Sequence, residues 1–132
     1  MPRADHVYHK RELEKGFYYA QAVKAGNTLY VSGCVSWDAA GNIIGAGDMR
    51  AQVHAVYSDL KETLAAHGAT FKHVVKENVF TTDMDALEAH NDLRIKFYVD
   101  DGSAPPASTW IGCTSLAAPG LMLEVECIAV LS

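Results

Sequence analysis

The C-terminal residues 121–130 alternate regularly between two faces, as expected of a β-strand in which successive side chains point to opposite sides of a sheet. The first face is apolar and carries Leu121, Leu123, Val125, Cys127 and Ala129. The second face mixes aliphatic side chains with two carboxylates and carries Met122, Glu124, Glu126, Ile128 and Val130. We therefore expect a strand that is buried on both faces, in which each carboxylate needs a hydrogen-bonding partner or a chemical role.

A second strand is predicted just upstream of this one. Pro105 and Pro106 end any preceding helix, because proline lacks an N–H donor and disfavours helical geometry in the residue before it. A β-rich run follows at residues 107–113, and Pro119-Gly120 is typical of a turn. The pattern favours a hairpin made of the two strands on either side of this turn.

Another hairpin is predicted near the start of the chain. Aromatic and β-branched residues dominate residues 17–25 and return at 28–32, with the turn residues Gly26-Asn27 between them. A glycine-rich loop of about a dozen residues follows, which is long for a connection. Within it, Ile43-Ile44 is either a short strand or part of a packed loop.

The middle of the chain predicts a long amphipathic helix followed by a central strand. Asp48 is a favourable N-cap, and Gly68 provides a C-terminal stop. Apolar side chains recur at three- and four-residue steps, at Val53, Val56, Tyr57, Leu60 and Leu64. These features predict a helix of about twenty residues with one buried face. Residues 71–81 are valine-rich and predict the strand.

A second helix is predicted to end near Tyr98. Its start is open between Asp85, which with Glu88 resembles a capping box, and Asp83 as an alternative N-cap. One face of this helix carries Met84, Leu87, Asn91, Ile95 and Tyr98. Because a buried amide must be hydrogen-bonded, Asn91 in this stripe either ties down neighbouring backbone or faces a polar cavity.

The predicted order is β-β-α-β-α-β-β, which describes one α+β domain over residues 1–132 with two helices against one sheet. The helices cover one face of that sheet. The other face carries Ile128, Val130 and similar residues, and an exposed apolar patch of this kind favours self-association.

Composition narrows the possible functions. The chain has 132 residues, of which 49% are hydrophobic and 20% are charged, as in ordinary soluble globular proteins. A net charge of -5 without a Lys/Arg stripe argues against nucleic acids and anionic membranes as partners. No run approaches the ~18 apolar residues of a membrane span, and the first residues lack a signal-peptide core, so we expect a cytoplasmic protein. The three cysteines and six histidines lack metal-site spacing, so we expect no metal and reduced thiols.

Several stretches, in this order and spacing, resemble the reactive-intermediate deaminase family, also called Rid or YjgF. They are GNTLYVSG at residues 26–33, GDMRAQ at 47–52, VFTTDM at 79–84, Asn91 in its helix, Pro106-Ala107 before a strand, and EVECIAV at 124–130. The resemblance implies a chorismate-mutase-like fold and a homotrimer whose sheets form a central barrel. It also implies three clefts between neighbouring subunits.

The resemblance further implies a chemistry. Family members of the best-understood type hydrolyse enamines and imines, such as 2-aminoacrylate, to ketoacids and ammonia without a cofactor. The positions that match the family's site are Tyr19, Ser32, Asn91 and Glu124. Among these, Glu124 corresponds to the carboxylate that is credited with positioning or activating the attacking water.

Three positions depart from the family pattern. The family's arginine, which follows Pro-Ala and clamps the substrate carboxylate, is replaced by Ser108. A serine cannot reach or neutralise a carboxylate as a planar guanidinium does, so the usual 2-iminoacid is not the expected substrate. Cys34 stands where glutamine is frequent, and Trp110 where a smaller residue is common. The resemblance thus implies that the chain keeps the carboxylate that positions or activates water, and that Ser108, Cys34 and Trp110 change the substrate pocket around it.

Each of these side chains also has a purely structural interpretation. Glu124 is either a general acid or base with a pKa raised by burial, or a carboxylate that accepts hydrogen bonds across a subunit seam. Cys34 is either a nucleophile, which needs a nearby base, or a small apolar filler. Trp110 either stacks on a flat ligand or fills the trimer core. Glu126 is interpreted as structural, and Ser108 as a pocket wall or weak donor.

Two functional hypotheses follow from these residues. The first is a cofactor-free hydrolase or deaminase that acts on a small imine, enamine or related unsaturated metabolite in an intersubunit cleft. The alternative is a non-catalytic trimeric protein that binds a small molecule or has a regulatory role. A ribonuclease activity, a label attached to some relatives, finds no support in the acidic charge balance.

Overall fold

The computed structural model describes residues 6–131, which form six strands and four α-helices. The strands are β1 (Val7–Tyr8), β2 (Ala22–Ala25), β3 (Thr28–Val35), β4 (Val74–Thr81), β5 (Ala107–Gly112) and β6 (Leu123–Val130). The helices are α1 (Glu12–Phe17), α2 (Met49–Ala65), α3 (Met84–Ala89) and α4 (Asn91–Asp100), and a 3-10 turn at Phe71–His73 leads into β4. The α+β class predicted from the sequence is confirmed.

The six strands form one mixed sheet in the order β1-β2-β3-β6-β4-β5. Every neighbouring pair is antiparallel except β4 and β5, which run parallel. The predicted β2–β3 hairpin is present, with Ala25 opposite Thr28 across the Gly26-Asn27 turn. Its first strand is shorter than predicted, because residues 12–17 form α1 and β2 begins only at Ala22.

The predicted hairpin between the last two strands is wrong. β5 pairs with β4, where Ser108 is aligned with Glu77, while β6 lies between β3 and β4. A strand between two neighbours satisfies its backbone donors and acceptors on both sides, which suits β6 because one of its faces is entirely apolar and buried. The predicted alternation in β6 is confirmed, since Leu123, Val125, Cys127 and Ala129 are buried and the residues between them are less so.

Helix α2 covers one face of the sheet through the side chains that the sequence pattern predicted. Val53, Val56, Tyr57, Leu60 and Leu64 are all buried in the core. Asp48 caps the helix by accepting a hydrogen bond from the Ala51 N–H at 3.1 Å. Gly68, just beyond the helix, has a φ of 72°, a conformation that glycine adopts without steric cost.

The second predicted helix is in fact two. Asp83, and not Asp85, caps α3 by accepting from the Ala86 N–H at 3.0 Å. His90 then leaves helical geometry, with φ -116° and ψ 16°, before α4 begins at Asn91. Leu87 and Tyr98 of the predicted apolar stripe are buried on either side of this break, but Ile95 is 46% exposed. Asn91 is half-buried rather than enclosed.

The loop between β3 and α2 contains no further strand among the elements described. Ile43 makes a single bridge to Trp37, and Ile44 remains exposed. The prediction for this segment is therefore resolved as a packed loop. Its anchor is Gln52, a fully buried side chain that donates to the carbonyls of Gly45 and Gly120 at 3.0 and 2.8 Å and accepts from the Met122 N–H at 2.8 Å.

The sheet face opposite the helices is open in the single chain. Tyr30 on β3 is 50% exposed and Val130 on β6 is 38% exposed, and Ile128, aligned with Tyr30, lies half-buried on the same face. Within residues 6–131, none of the helices combines the length and apolar character that crossing a bilayer requires.

Because Gln52 satisfies three backbone groups in two loops, we expect Gln52→Ala to lower the free energy of unfolding by roughly 2–4 kcal/mol, the cost of leaving buried polar groups unpaired. Urea denaturation measures this change. In the same helix, Lys61→Ala removes only an exposed ion pair with Asp101 and should cost under about 1 kcal/mol. Equal losses in the two variants would show that Gln52 does not hold these loops.

Candidate active site

Three of the side chains singled out in the sequence lie together in one open cleft. Tyr19, Ser32 and Glu124 line a cavity of about 380 Å³ on the open side of the sheet. The remaining walls are formed by Phe17, Gly33, Val35, Trp37 and Ala117. The cleft therefore brings Glu124, Tyr19 and Ser32 together in an otherwise largely apolar lining.

An irregularity in β3 creates the room for this carboxylate. The register between β3 and β6 shifts between Val31 and Cys34, as in a β-bulge. Within the bulge, Ser32 Oγ donates to the Ala20 carbonyl at 2.6 Å, which fixes the segment before the cleft. The Glu124 carboxylate lies directly over Gly33, where an added Cβ would collide with it. A side chain at position 33 would displace the Glu124 carboxylate, so glycine leaves the room for its present position.

The Glu124 carboxyl has a raised pKa. Loss of water around it is the larger cause, and repulsion from Glu126 on the same strand face adds to it. Glu126 itself accepts a hydrogen bond from Asn78 Nδ2 at 3.1 Å, which agrees with its structural interpretation. Burial also raises the pKa of Tyr19, with Glu14 as a further cause, so its phenol stays protonated and can donate. The cleft therefore holds a carboxyl group that takes up a proton more readily than usual.

Asn91, Ser108 and Trp110, which the sequence also singled out, do not line this cleft. Ser108 and Trp110 are aligned with Glu77 and Val79 of β4, two side chains buried beneath the helices. Glu124 is aligned with Phe80, whose side chain alternates to the other face. Within one chain, Ser108 and Trp110 therefore belong to the helix-covered face and Glu124 to the open face.

The Ser108 group surrounds a buried carboxylate that the sequence analysis did not identify. Glu77 is fully buried, and its Oε1 accepts from the Tyr57 and Tyr98 hydroxyls at 2.9 and 2.7 Å. Its Oε2 accepts from Ser108 Oγ at 2.6 Å and from Arg94 Nε at 2.8 Å, with Arg94 Nη2 at 2.7 Å. Burial and the neighbouring carboxylate raise the pKa values of both tyrosines, which remain donors.

Arg94 connects the remaining members of this group. Its Nη1 donates to Asn91 Oδ1 at 3.2 Å, so Asn91 bonds a side chain one helical turn away, which neither interpretation of its buried amide specified. The guanidinium carbon lies 5.5 Å from the Tyr98 ring centroid and 5.8 Å from that of Trp110. We name these residues the Glu77 network: Glu77, Arg94, Ser108, Tyr57, Tyr98 and Asn91. The available sequence signal was the charged pair Lys76-Glu77 within the valine-rich central strand.

Cys34 does not line the cleft. It is aligned with Val125 on the helix-covered side, is buried, and accepts a hydrogen bond from Gln21 Nε2 at 3.1 Å. Burial, with the nearby Asp59 carboxylate as a further cause, raises the pKa of its thiol well above the ordinary value. A thiol that resists ionisation is a poor nucleophile, so the geometry supports the interpretation of Cys34 as a small apolar filler.

Across residues 6–131, no three or more His, Cys, Asp or Glu side chains are grouped so that they could hold a metal ion.

The fold and cleft define a class: a small α+β protein with one mixed sheet, helices on one face, and a carboxylate cleft on the other. Residues 10–131 match the family described as Endoribonuclease L-PSP. The chain belongs to this family, which is the Rid or YjgF family that the sequence resembles.

Named relatives cover nearly the same length. The 2-iminobutanoate/2-iminopropanoate deaminase of Dermatophagoides farinae is 31% identical over 113 residues, which is 86% of this chain and 85% of the relative. The crystal structure of a YjgF/YER057c/UK114 family member from Mycobacterium tuberculosis has a TM-score of 0.78 at 25% identity, covering 95% of this chain and 97% of that one. The structure of E. coli TdcF with bound serine has a TM-score of 0.79 at 25% identity, covering 86% and 88%.

Since Glu126 contributes to the raised pKa of Glu124, we expect Glu126→Gln to lower the Glu124 pKa. The value should stay above the ordinary one, because the larger cause, loss of water, is unchanged. A carbon-13 NMR titration of the Glu124 side-chain carboxyl measures it. Glu88→Gln makes the same change in net charge at an exposed position on α3 and should leave the Glu124 pKa where it was. An unchanged or higher pKa in Glu126→Gln would contradict the electrostatic argument.

Proposed function

We propose that this protein is a cofactor-independent hydrolase of small imines or enamines, with Glu124 as its general acid and base. The observation that carries the proposal is the Glu124 carboxyl, which lies over Gly33 beside Tyr19 and Ser32 with a raised pKa. A raised pKa lies closer to neutral pH, and a carboxyl group with such a pKa can both accept and return a proton during the reaction. Support also comes from the relative in Dermatophagoides farinae, which bears the name of a 2-iminoacid deaminase.

The proposed reaction needs water and one proton shuttle. Ionised Glu124 takes a proton from water as the oxygen attacks the C=N carbon, and returns that proton to the imine nitrogen, which gives a carbinolamine. Glu124 then takes the hydroxyl proton of the carbinolamine and delivers it to the amine nitrogen, so that the C–N bond breaks, a C=O bond forms and ammonia leaves. An enamine enters the same sequence after protonation at carbon. The Tyr19 phenol, which stays protonated, donates a hydrogen bond to the polar end of the substrate.

In this proposal, a second copy of the chain supplies the other wall of the cleft. The family resemblance implies homotrimers with clefts between neighbouring subunits, and the open sheet face with Tyr30, Ile128 and Val130 is an apolar surface available for such contacts. Since Ser108 and Glu124 lie on opposite faces of one sheet, a substrate that touches both must lie between two chains. Asn91, Ser108 and Trp110 would then form the second wall.

The alternative function is a trimeric binding or regulatory protein without chemistry. The replacement of the family's arginine by Ser108 favours this alternative, because it removes the contact that holds a 2-iminoacid. The family description also mentions an endoribonuclease. A chain with a net charge of -5 is a poor partner for a polyanion, so we do not assign that activity here.

We expect Glu124→Gln to reduce kcat for imine hydrolysis by about 10²- to 10⁴-fold, the usual contribution of a positioned acid or base. Ammonia release from a panel of imines and enamines, with and without carboxylates, measures the turnover. Glu62→Gln, an exposed change on α2, should leave kcat unaltered. Undiminished turnover in Glu124→Gln would remove Glu124 from the mechanism. Saturable binding without any turnover in the unaltered protein would favour the alternative function.

The proposed trimer predicts a mass of about 43 kDa in solution, from three chains of 14.3 kDa. Ile128→Glu places a charge in the apolar part of the open face, and we expect it to shift the mass toward one chain because burying an unpaired charge is costly. Light scattering after size-exclusion chromatography measures this. Val99→Glu alters a residue that is 62% exposed on α4 and should leave the trimer intact. A single-chain mass for the unaltered protein would overturn the assembly.

A further inference from the structure

The Ser108 hydroxyl has a single proton, which it donates to the Glu77 carboxylate. Glu77 forms a salt bridge with Arg94 and accepts from both tyrosine hydroxyls, so in the 2.6 Å contact its carboxylate accepts and Ser108 donates. A hydroxyl bonded to a buried carboxylate is a strong, charge-assisted donor, and rotating it away would give up that bond. What Ser108 offers to its surroundings is therefore its oxygen lone pairs alone. The residue is exposed, so these lone pairs are accessible.

The nearby cation, Arg94, is also fully engaged within the protein. Arg94 binds the Glu77 carboxylate through Nε and Nη2 and the Asn91 amide through Nη1, and its side chain is only 12% exposed. The charges of Arg94 and Glu77 cancel within one buried pair. A carboxylate arriving beside Ser108 would meet acceptor lone pairs and a neutralised guanidinium, in place of the free arginine implied for the family at position 108. A group with an N–H or O–H to donate would find a matched acceptor.

We propose that the Glu77 network turns position 108 into a hydrogen-bond acceptor, so that this site selects uncharged ligands bearing an N–H or O–H donor over ligands bearing a carboxylate. A primary amide or hydroxyl group would take the place of the carboxylate of a 2-iminoacid. Trp110, on the same strand face, supplies a flat apolar wall beside that group. The proposal rests on the proposed function for the location of the cleft, but it concerns binding preference and not turnover. Ser108 is a specificity-determining residue here, and Glu77 and Arg94 are positioning residues.

A matched pair of stable ligands tests the preference. The 2-oxo products 2-oxopropanamide and 2-oxopropanoate differ only in the amide and the carboxylate, and calorimetric titration of the full chain in its native assembly gives both Kd values. We expect the amide to bind at least about 10-fold more tightly. Ser108→Ala should weaken amide binding about 3- to 10-fold, the contribution of one hydrogen bond, and should leave carboxylate binding unchanged. Ser108→Thr keeps the hydroxyl and should keep the preference.

Two further variants test the charge argument. Ser108→Arg places an uncommitted cation at the exposed edge strand and should reverse the preference toward 2-oxopropanoate. Glu77→Gln removes the charge that cancels Arg94 and should also increase carboxylate binding, provided that circular dichroism shows a folded chain. If Glu77→Gln does not fold, the three Ser108 variants decide alone, since that residue is exposed and lies on an edge strand.

The outcomes separate this inference from the proposed hydrolase. Tighter binding of 2-oxopropanoate by the unaltered protein, or an unchanged ratio of Kd values in Ser108→Ala, would overturn the assignment of position 108 even if imines are hydrolysed. A Ser108-dependent preference for the amide without turnover of any imine would uphold it and remove the hydrolase. Efficient hydrolysis of 2-iminopropanoate together with an amide preference of less than 2-fold would uphold the hydrolase and reject the acceptor site.

Discussion

Strand β6 lies in the middle of the sheet, hydrogen-bonded to β3 on one side and to β4 on the other, and its two faces have different surroundings. One face fills the core beneath the helices with Leu123, Val125, Cys127 and Ala129. The other face carries Glu124 toward the bulge in β3. A shift of register by one residue would exchange the two faces, which would bury Glu124 in the core and expose the aliphatic side chains. The position of the candidate catalytic carboxylate is thus fixed by the same packing that stabilises the fold.

A second constraint on the fold is that the buried carboxylate of Glu77 needs hydrogen-bond donors, which the Glu77 network supplies. An isolated carboxylate in the core would be strongly destabilising, and here five donors from α2, α4 and β5 surround it. These donors tie both helices to the edge strand through one side chain. The network also determines the chemistry offered by Ser108, because the hydroxyl proton and the guanidinium charge are used inside the protein. If Ser108 has the proposed preference, the stability of this edge and its choice of ligand have a common origin in the Glu77 network.

The sequence predicted what local patterns determine, and it missed what distant residues decide together. The periodicity of Val53 through Leu64 defines α2 without reference to the rest of the chain, and the turn at Gly26-Asn27 defines the first hairpin. The pairing of β5 with β4 depends on a connection through α3 and α4, which no short pattern encodes. The periodicity also did not indicate the break at His90, and it placed Ile95 in the buried stripe although this side chain is 46% exposed.

The candidate site was anticipated for a different reason. The family resemblance indicated Tyr19, Ser32 and Glu124, although Glu124 lies far along the chain from the other two. No resemblance marked Glu77 and Arg94, which are only 17 residues apart and meet across the helix and sheet layers. One chain directs Glu124 and Ser108 to opposite faces of its sheet, so a ligand that contacts both requires two chains. Closing the open face with a neighbour would also exclude water from around Glu124, which strengthens electrostatic interactions at the site. In the proposed trimer, assembly and chemistry would be linked by mass action, because separating the chains would remove one wall of the cleft and return the carboxylate to solvent.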